Sequence, residues 1–318
     1  MSEPGDPVMI VIGGGAIALS TAEELCALQG HRVVVVWRRD PDLARAVESI
    51  GAVFITAARP DSGEGLDRAG VRHAVTILAL SPDDREAQAT LDRWRRESEL
   101  HDRMQQAVGS HFTVSFEGPA EAALAAEALE VLDRAYWRVG QLLGTYPTDP
   151  VPVVLYTGEQ FRDITRSPEW AAGAYDGTIR VPMRGALDTP KELDRVLSHE
   201  FTHALIRSLA ARGVPAWLNE GLATALETGD LEWAEKRVKE TADAVPLGAL
   251  QAGFGRFTGG QAQLAYATSA LAARRLLEEG GGFAIANLLR DLGDGIDFDA
   301  AFLHRIQRPF AEFQATVF

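Results

Sequence analysis

The chain has 318 residues, 46 % of them hydrophobic and 24 % charged, a composition that suits a folded globular protein with room for two domains. A formal net charge of −14 argues against a nucleic acid or an anionic membrane as partner, because both are held by an excess of Lys and Arg. Cys26 is the one cysteine and allows no internal disulfide, no stretch approaches the ~18 apolar residues of a membrane span, and the N-terminus lacks a basic signal region, so a cytoplasmic location is expected.

The first eighty residues alternate strand-like and helix-like segments. VMIVI (Val8 to Ile12) is a continuous apolar run of the kind that suits a strand buried on both faces. A glycine turn follows, then a helical stretch from Ala16 to Gln29 closed by Gly30. RVVVV forms the second strand. Asp40 and Pro41 then suit the cap and first position of a helix that ends at Gly51. AVFIT and AVTILAL (Ala74 to Leu80) supply two more strands. The repeated βα order predicts a parallel sheet with right-handed crossovers, a Rossmann-like α/β domain over residues 1–97. Within it Gly13, Gly15 and Ala18 stand in G-x-G-x-x-A spacing between strand and helix. That spacing gives a tight turn, close approach to a pyrophosphate and a helix N-terminus behind it. The acid that should meet a ribose is replaced by Trp37, while Arg38 and Arg39 could meet a 2′-phosphate or simply be a solvated basic pair. NAD(P) or an adenine nucleotide is therefore the ligand to test there.

From Pro82 to Val108 helical spacing of Leu91, Trp94, Met104 and Val108 predicts one long linker helix (residues 82–108), stopped by Gly109. A second domain spans residues 109–318. It opens with the alternating strand HFTVSFEG, followed by a helix from about Ala120 to Leu143 and the strand VPVVLYT. AYDGTIRVP carries an Asp176-Gly177 hairpin signal. The strand near Thr178–Val181 is expected at a sheet edge, where it could recruit an extended peptide.

TPKELDRVLSHEFTHALIRSLAARG then has the marks of a well-bounded helix. Thr189 can cap it, Pro190 suits the first position, Glu192 can complete a capping box, and Gly213 supplies the stop. On such a helix His199 and His203 project from one face, one turn apart, so two imidazole nitrogens can reach one cation. Glu200 leans to the side, able to reach a metal-bound water without becoming a ligand. This is the H-E-x-x-H pattern of zinc hydrolases. Chance alone yields it in about one per cent of chains with this histidine content, so a third ligand matters. Glu220 lies seventeen residues after His203, on a helix-prone run that starts near Pro215 and Trp217. Two His and one Glu leave one position open, which is the catalytic arrangement and not the closed structural one. Asn219 is a candidate for orienting a ligand or for capping this helix. His31, His73, His101, His111 and His304 have no partner spacing and read as structural or surface residues.

HEFTH followed by WLNEGLA resembles the gluzincin metallopeptidases, and the stretch from SHFTVSFEGP to the C-terminus resembles the peptidase-MA-like domain of bacterial proteins. The resemblance implies an α+β zincin-like, thermolysin-type fold. It also implies Zn2+ held by His199, His203 and Glu220, with Glu200 as general base. Tyr266 in LAYATSALA sits where that family places the tyrosine that stabilises the oxyanion; a core tyrosine would look the same. The substrate implied is a peptide or protein. No G-x-M-E-N motif of aminopeptidases is present, which favours an endopeptidase or a narrow processing enzyme.

Residues 8–90, through GHRVVVVWRRDPDLARAVESIGAVF, LDRAGV and ALSPDD, resemble the N-terminal, TrkA-N-like Rossmann domain of the RCK (regulator of potassium conductance) proteins. Two departures stand out: Trp37 in place of the acid, and TAARPD in place of the G-D-A turn after the third strand. The leading expectation is a zinc peptidase carrying a Rossmann-like domain that is either regulatory or merely structural. The alternative is a nucleotide sensor or interaction protein whose zincin domain is idle.

Overall fold

The computed structural model describes residues 96–97, 99–118, 121–165, 173–175, 177–182, 189–227, 230–241, 245–254 and 257–317, together with three strands nearer the N-terminus. The chain divides into two units, Met1–Asp102 and Arg103–Phe318.

In the first unit β1 (Val8–Ile12), β2 (Arg32–Trp37) and β3 (Val53–Thr56) form a parallel sheet in the order β1-β2-β3. Val8 stands opposite Arg32 and Val34 opposite Val53. The β-branched runs of Val and Ile suit strands that fill both faces of a parallel sheet. Gly13, Gly15, Ala18 and Arg38, the intervening helices and the strand expected at 74–80 lie outside the described residues.

The second unit is built on a five-stranded mixed sheet. Its strands are β4 (Gln105–Val108), β5 (Phe112–Phe116), β6 (Val151–Tyr156), β7 (Ala174–Tyr175) and β8 (Ile179–Pro182), in the order β4-β5-β6-β8-β7. The central pairs β5–β6 and β6–β8 are parallel, and the two outer pairs are antiparallel. Two expectations are corrected here. The helix expected to run to Val108 ends at His101, and Gln105–Val108 is a strand instead. Gly109 donates its N–H to the Phe112 carbonyl at 2.8 Å, which folds this segment back onto β5, so sheet pairing overrides its local helical spacing. Likewise Thr178–Val181 is not an edge: β8 lies between β6 and β7, and the edge belongs to the two-residue β7.

The sheet packs against helices. Phe112, Val114 and Phe116 alternate inward from β5. They meet α1 (Ala122–Leu143), which Gly144 closes in a left-handed conformation. After α2 (Gly158–Thr165) comes α3 (Pro190–Leu209). Thr189 caps α3 by accepting the Glu192 N–H, with Pro190 at the first position. The reciprocal half of the expected capping box is missing, because the Glu192 carboxylate is taken by Arg195. The stop also comes earlier than Gly213: Ala210 is extended (φ −142°, ψ 97°), and Gly213 makes the turn towards the next helix.

That helix is α4 (Ala216–Glu227), followed by α5 (Glu232–Lys239) and by α6 (Gly259–Gly293), whose continuity breaks at Gly281 (φ 72°, ψ 161°). The helices α7 (Phe298–Ile306) and α8 (Phe310–Thr316) end the chain. Two features of WLNEGLA fix α4. Trp217 is fully buried and stacks on Phe310, ring centres 5.7 Å apart, which ties α4 to α8. Gly221 lets the backbones of α4 and α6 touch: a Cβ there would lie 2.3 Å from the Ser269 carbonyl oxygen. The close approach sets Glu220 of α4 beside Tyr266 of α6.

Candidate metal centre

The residues singled out by spacing meet in one place. His199 and His203 share the face of α3 that looks onto α4, and their Nε2 atoms are 3.1 Å apart. Glu220 on α4 brings Oε2 to 3.7 Å from His199 Nε2 and 3.6 Å from His203 Nε2. Among the described residues these three form the one group of His, Cys, Asp and Glu whose ligand atoms all lie within 4.8 Å of one another.

The outer ring nitrogens fix the tautomers. His199 Nδ1 is 2.9 Å from Glu227 Oε2, and a carboxylate can only accept, so the His199 proton sits on Nδ1. His203 Nδ1 donates in the same way to Asn219 Oδ1 at 3.1 Å. In the neutral rings both Nε2 lone pairs therefore point at each other. That contact is repulsive unless a proton or a metal ion stands between them. Two nitrogens bound to one tetrahedral zinc would be about 3.4 Å apart, so the pair already has the spacing such an ion needs. A neutral-imidazole pair plus a carboxylate, each oriented through its other atoms, is the donor set that zinc prefers. The residues present fit the metal.

Charge makes the same demand. Burial by itself would lower the His199 pKa, but the nearby carboxylate of Glu220, the hydrogen bond to Glu227 and the charges of Glu200 and Glu227 hold it up at about 10. His203 is likewise raised: burial opposes the shift, and the nearby negative charge of Glu220 overcomes it. Glu220 is pressed far below the usual carboxylate range, since His203 and His199 outweigh the effect of burial. Glu200 moves the other way. Burial raises its pKa and the two histidines offset this only in part. Three carboxylates around two imidazoles thus leave the pocket short of positive charge.

The surrounding contacts hold this geometry. Arg195 bridges Glu227 (3.2 Å) and Glu192 (3.0 Å). Arg138 of α1 donates to the carbonyls of Leu226 and Glu227 and to Ser198 Oγ at 2.9 Å, clipping α3 to the end of α4. Gly173, just before β7, lies against Glu200, where an added Cβ would fall 2.5 Å from Oε1. Glu227, Arg195, Arg138 and Gly173 were not singled out by sequence motifs. The i+7 spacing of Glu220 and Glu227 on one helix face is the only signal that could have found any of them.

The centre opens into a cleft of about 700 Å³. Its lining includes residues of α3, Gly173, Ala174 and Tyr175 at β7, and Gln263 and Tyr266 of α6. The Tyr266 pKa is raised by burial and by the negative charges of Glu220 and Glu200 nearby, so it is a phenol at neutral pH. Asn219 orients His203 instead of capping a helix end. The other described histidines stay apart from the site. His111 is bonded to Asp133 at 3.1 Å and stacks on Tyr136, His101 stands near Glu97, and His304 near Asp291.

Among the described residues no helix is long and apolar enough to cross a membrane. No curated protein matches the chain. The family model of the TrkA-N domain matches residues 9–104, a region that includes the three parallel strands, so the N-terminal region is similar to TrkA-N, Rossmann-like domains.

Proposed function

We propose that the second unit is a zinc-dependent peptidase of the gluzincin, peptidase-MA-like kind, with His199, His203 and Glu220 as ligands and Glu200 as general base. The observation that carries the reading is the pair of Nε2 lone pairs facing each other at 3.1 Å beside Glu220, with both outer nitrogens anchored. Zinc bound there would acidify a water and polarise a peptide carbonyl. Glu200, on the α3 face beside the ligands, accepts the proton of the attacking water and returns it to the leaving amine. A carboxyl whose pKa burial has raised suits a group that must hold a proton part-way through the reaction. Tyr266, kept protonated, donates to the oxyanion that develops as the carbonyl becomes tetrahedral. Ala174 and Tyr175 of the edge strand β7 line the cleft, the kind of place where an extended peptide is recruited.

The test is elemental analysis of the purified protein paired with cleavage of a broad peptide library. One zinc per chain, lost in His199→Ala, together with cleavage that Glu200→Gln removes, is the expected result. Zinc without cleavage of any peptide favours a second reading, a nucleotide-sensing or interaction protein with an idle zincin domain. The TrkA-N match and the Gly13, Gly15, Ala18 turn support a nucleotide, with Arg38 placed in sequence to meet a 2′-phosphate. A thermal shift with NAD, NADP, ATP or ADP tests that; no shift with any of them removes the sensing role.

A further inference from the structure

Three arginines line the cleft: Arg195, Arg207 and Arg212. Arg195 is committed, because Glu192 and Glu227 both bind it. Arg207 and Arg212 are exposed, and among the described residues no acid pairs with either. Arg207 lies on α3 four residues beyond His203, hence one turn along the same face. Arg212 follows in the turn after that helix. A cation in the last turn of a helix has an ordinary explanation in the helix dipole, but that accounts for Arg207 alone. The acids lining the cleft are Glu200, Glu220 and Glu227, all gathered at the candidate metal centre. A divalent ion and Arg195, which is shared with Glu192, would offset most of that charge at the metal centre, and the cleft lining holds no further acid to pair with the two arginines. In a chain with net charge −14, two unpaired cations beside one cleft are a local reversal of sign.

We propose that Arg207 and Arg212 form a carboxylate-binding subsite of this cleft, selecting peptides with an acidic group on one side of the bond presented to the metal centre. The inference rests on the peptidase reading of the cleft. The distance sets where the acid belongs. One helical turn separates Arg207 from His203 at about 5–6 Å between Cβ atoms, and an extended peptide advances about 3.3 Å per residue. The carboxylate therefore lies within about two or three residues of the scissile carbonyl. It is either an Asp or Glu side chain or the C-terminal carboxylate of a short peptide, since both present the same planar pair of oxygens to a guanidinium.

Matched peptides separate these sources: one series exchanges Glu for Gln at each of the three positions on either side of the bond, and the other exchanges a free C-terminus for an amide. Binding is read by fluorescence anisotropy on the zinc-loaded Glu200→Gln protein, so that the result does not depend on turnover, and kcat/KM is read on the parent protein. We expect roughly tenfold preference for the acid over its amide counterpart on one side of the bond. That ratio should fall towards one in the Arg207→Gln/Arg212→Gln double variant, and the Lys counterparts should keep most of it. A preference in the Glu series identifies a side-chain carboxylate; a preference in the C-terminal series identifies a chain end. A ratio near one in both series, or one that survives in the double variant, overturns the subsite. Acid-selective binding without cleavage by the parent protein would instead sink the peptidase reading and leave the subsite standing.

Discussion

Glu227→Ala is the most informative single change, because this residue is not one of the three candidate ligands but holds one of them in place. Its carboxylate holds the His199 Nδ1–H at 2.9 Å and Arg195 at 3.2 Å. Loss of the first bond frees the imidazole to rotate and to exchange tautomers. A hydrogen bond to a charged acceptor contributes about 1.5–3 kcal/mol, and supporting residues of this kind govern about 10–100-fold in metal affinity, which converts to about 1.4–2.7 kcal/mol. The two figures agree, so zinc affinity should fall by that factor. Arg195 retains Glu192 at 3.0 Å, so the fold itself should lose little. Competition with a chelator of known affinity measures the first quantity and thermal unfolding of the metal-free protein the second. Nitrogen-detected NMR of the His199 ring adds a readout that needs no metal, since the proton should no longer be confined to Nδ1. Wild-type zinc affinity together with an unchanged tautomer would refute the positioning argument. Asn219→Ala should loosen His203 in the same way but by less, because the lost acceptor is neutral.

Glu200→Gln should leave one zinc per chain while peptide cleavage falls by about 10²–10⁴-fold or more; loss of the metal as well would mean that Glu200 is a ligand. Gly221→Ala should destabilise the protein by about 1–3 kcal/mol, read as a lower melting temperature, because its methyl would press on the Ser269 carbonyl 2.3 Å away; an unchanged melting temperature would show that α4 and α6 separate freely. In the metal-free protein His199 rises from 6.5 unfolded to about 10 folded, so its contribution to stability is complete below about pH 6.5 and fades as pH climbs towards 10. Urea melts across that window should show falling stability without zinc and a flatter profile with it, and zinc uptake near neutral pH should release at least about one proton, seen as a calorimetric heat that depends on the buffer. Heats that are the same in every buffer would show that the ring is already neutral.

What the sequence made legible divides along one physical line. Patterns carried by consecutive residues of one element came through: the valine-rich β1 and β2, the alternation of Phe112, Val114 and Phe116, the Thr189–Pro190 start of α3, and the shared face of His199 and His203. Each follows from backbone periodicity, which a single segment imposes on itself. Features set by what packs alongside did not. Gln105–Val108 has helical spacing upstream of it, yet its backbone is claimed by β5, and Thr178–Val181 lost its edge position to two residues of β7 that no pattern announces. Glu192 was free in sequence terms to close a capping box, but Arg195 offered a charged partner three residues on.

Glu227 shows the limit most clearly. Glu220 was found because its distance from His203 matched a known pairing of helices, whereas the i+7 spacing puts Glu227 on the same face two turns later without saying that this face returns to His199. That return depends on the angle at which α4 crosses α3. The angle in turn depends on Gly221 admitting the α6 backbone on one side and on Arg138 clipping the end of α4 on the other. One residue makes the approach possible and another fixes its far end, and only with both in place do the outer nitrogens of the two histidines find separate acceptors. The inner nitrogens are then left facing each other, so the packing of three helices, and not the spacing of two histidines, is what creates the need for a cation between them.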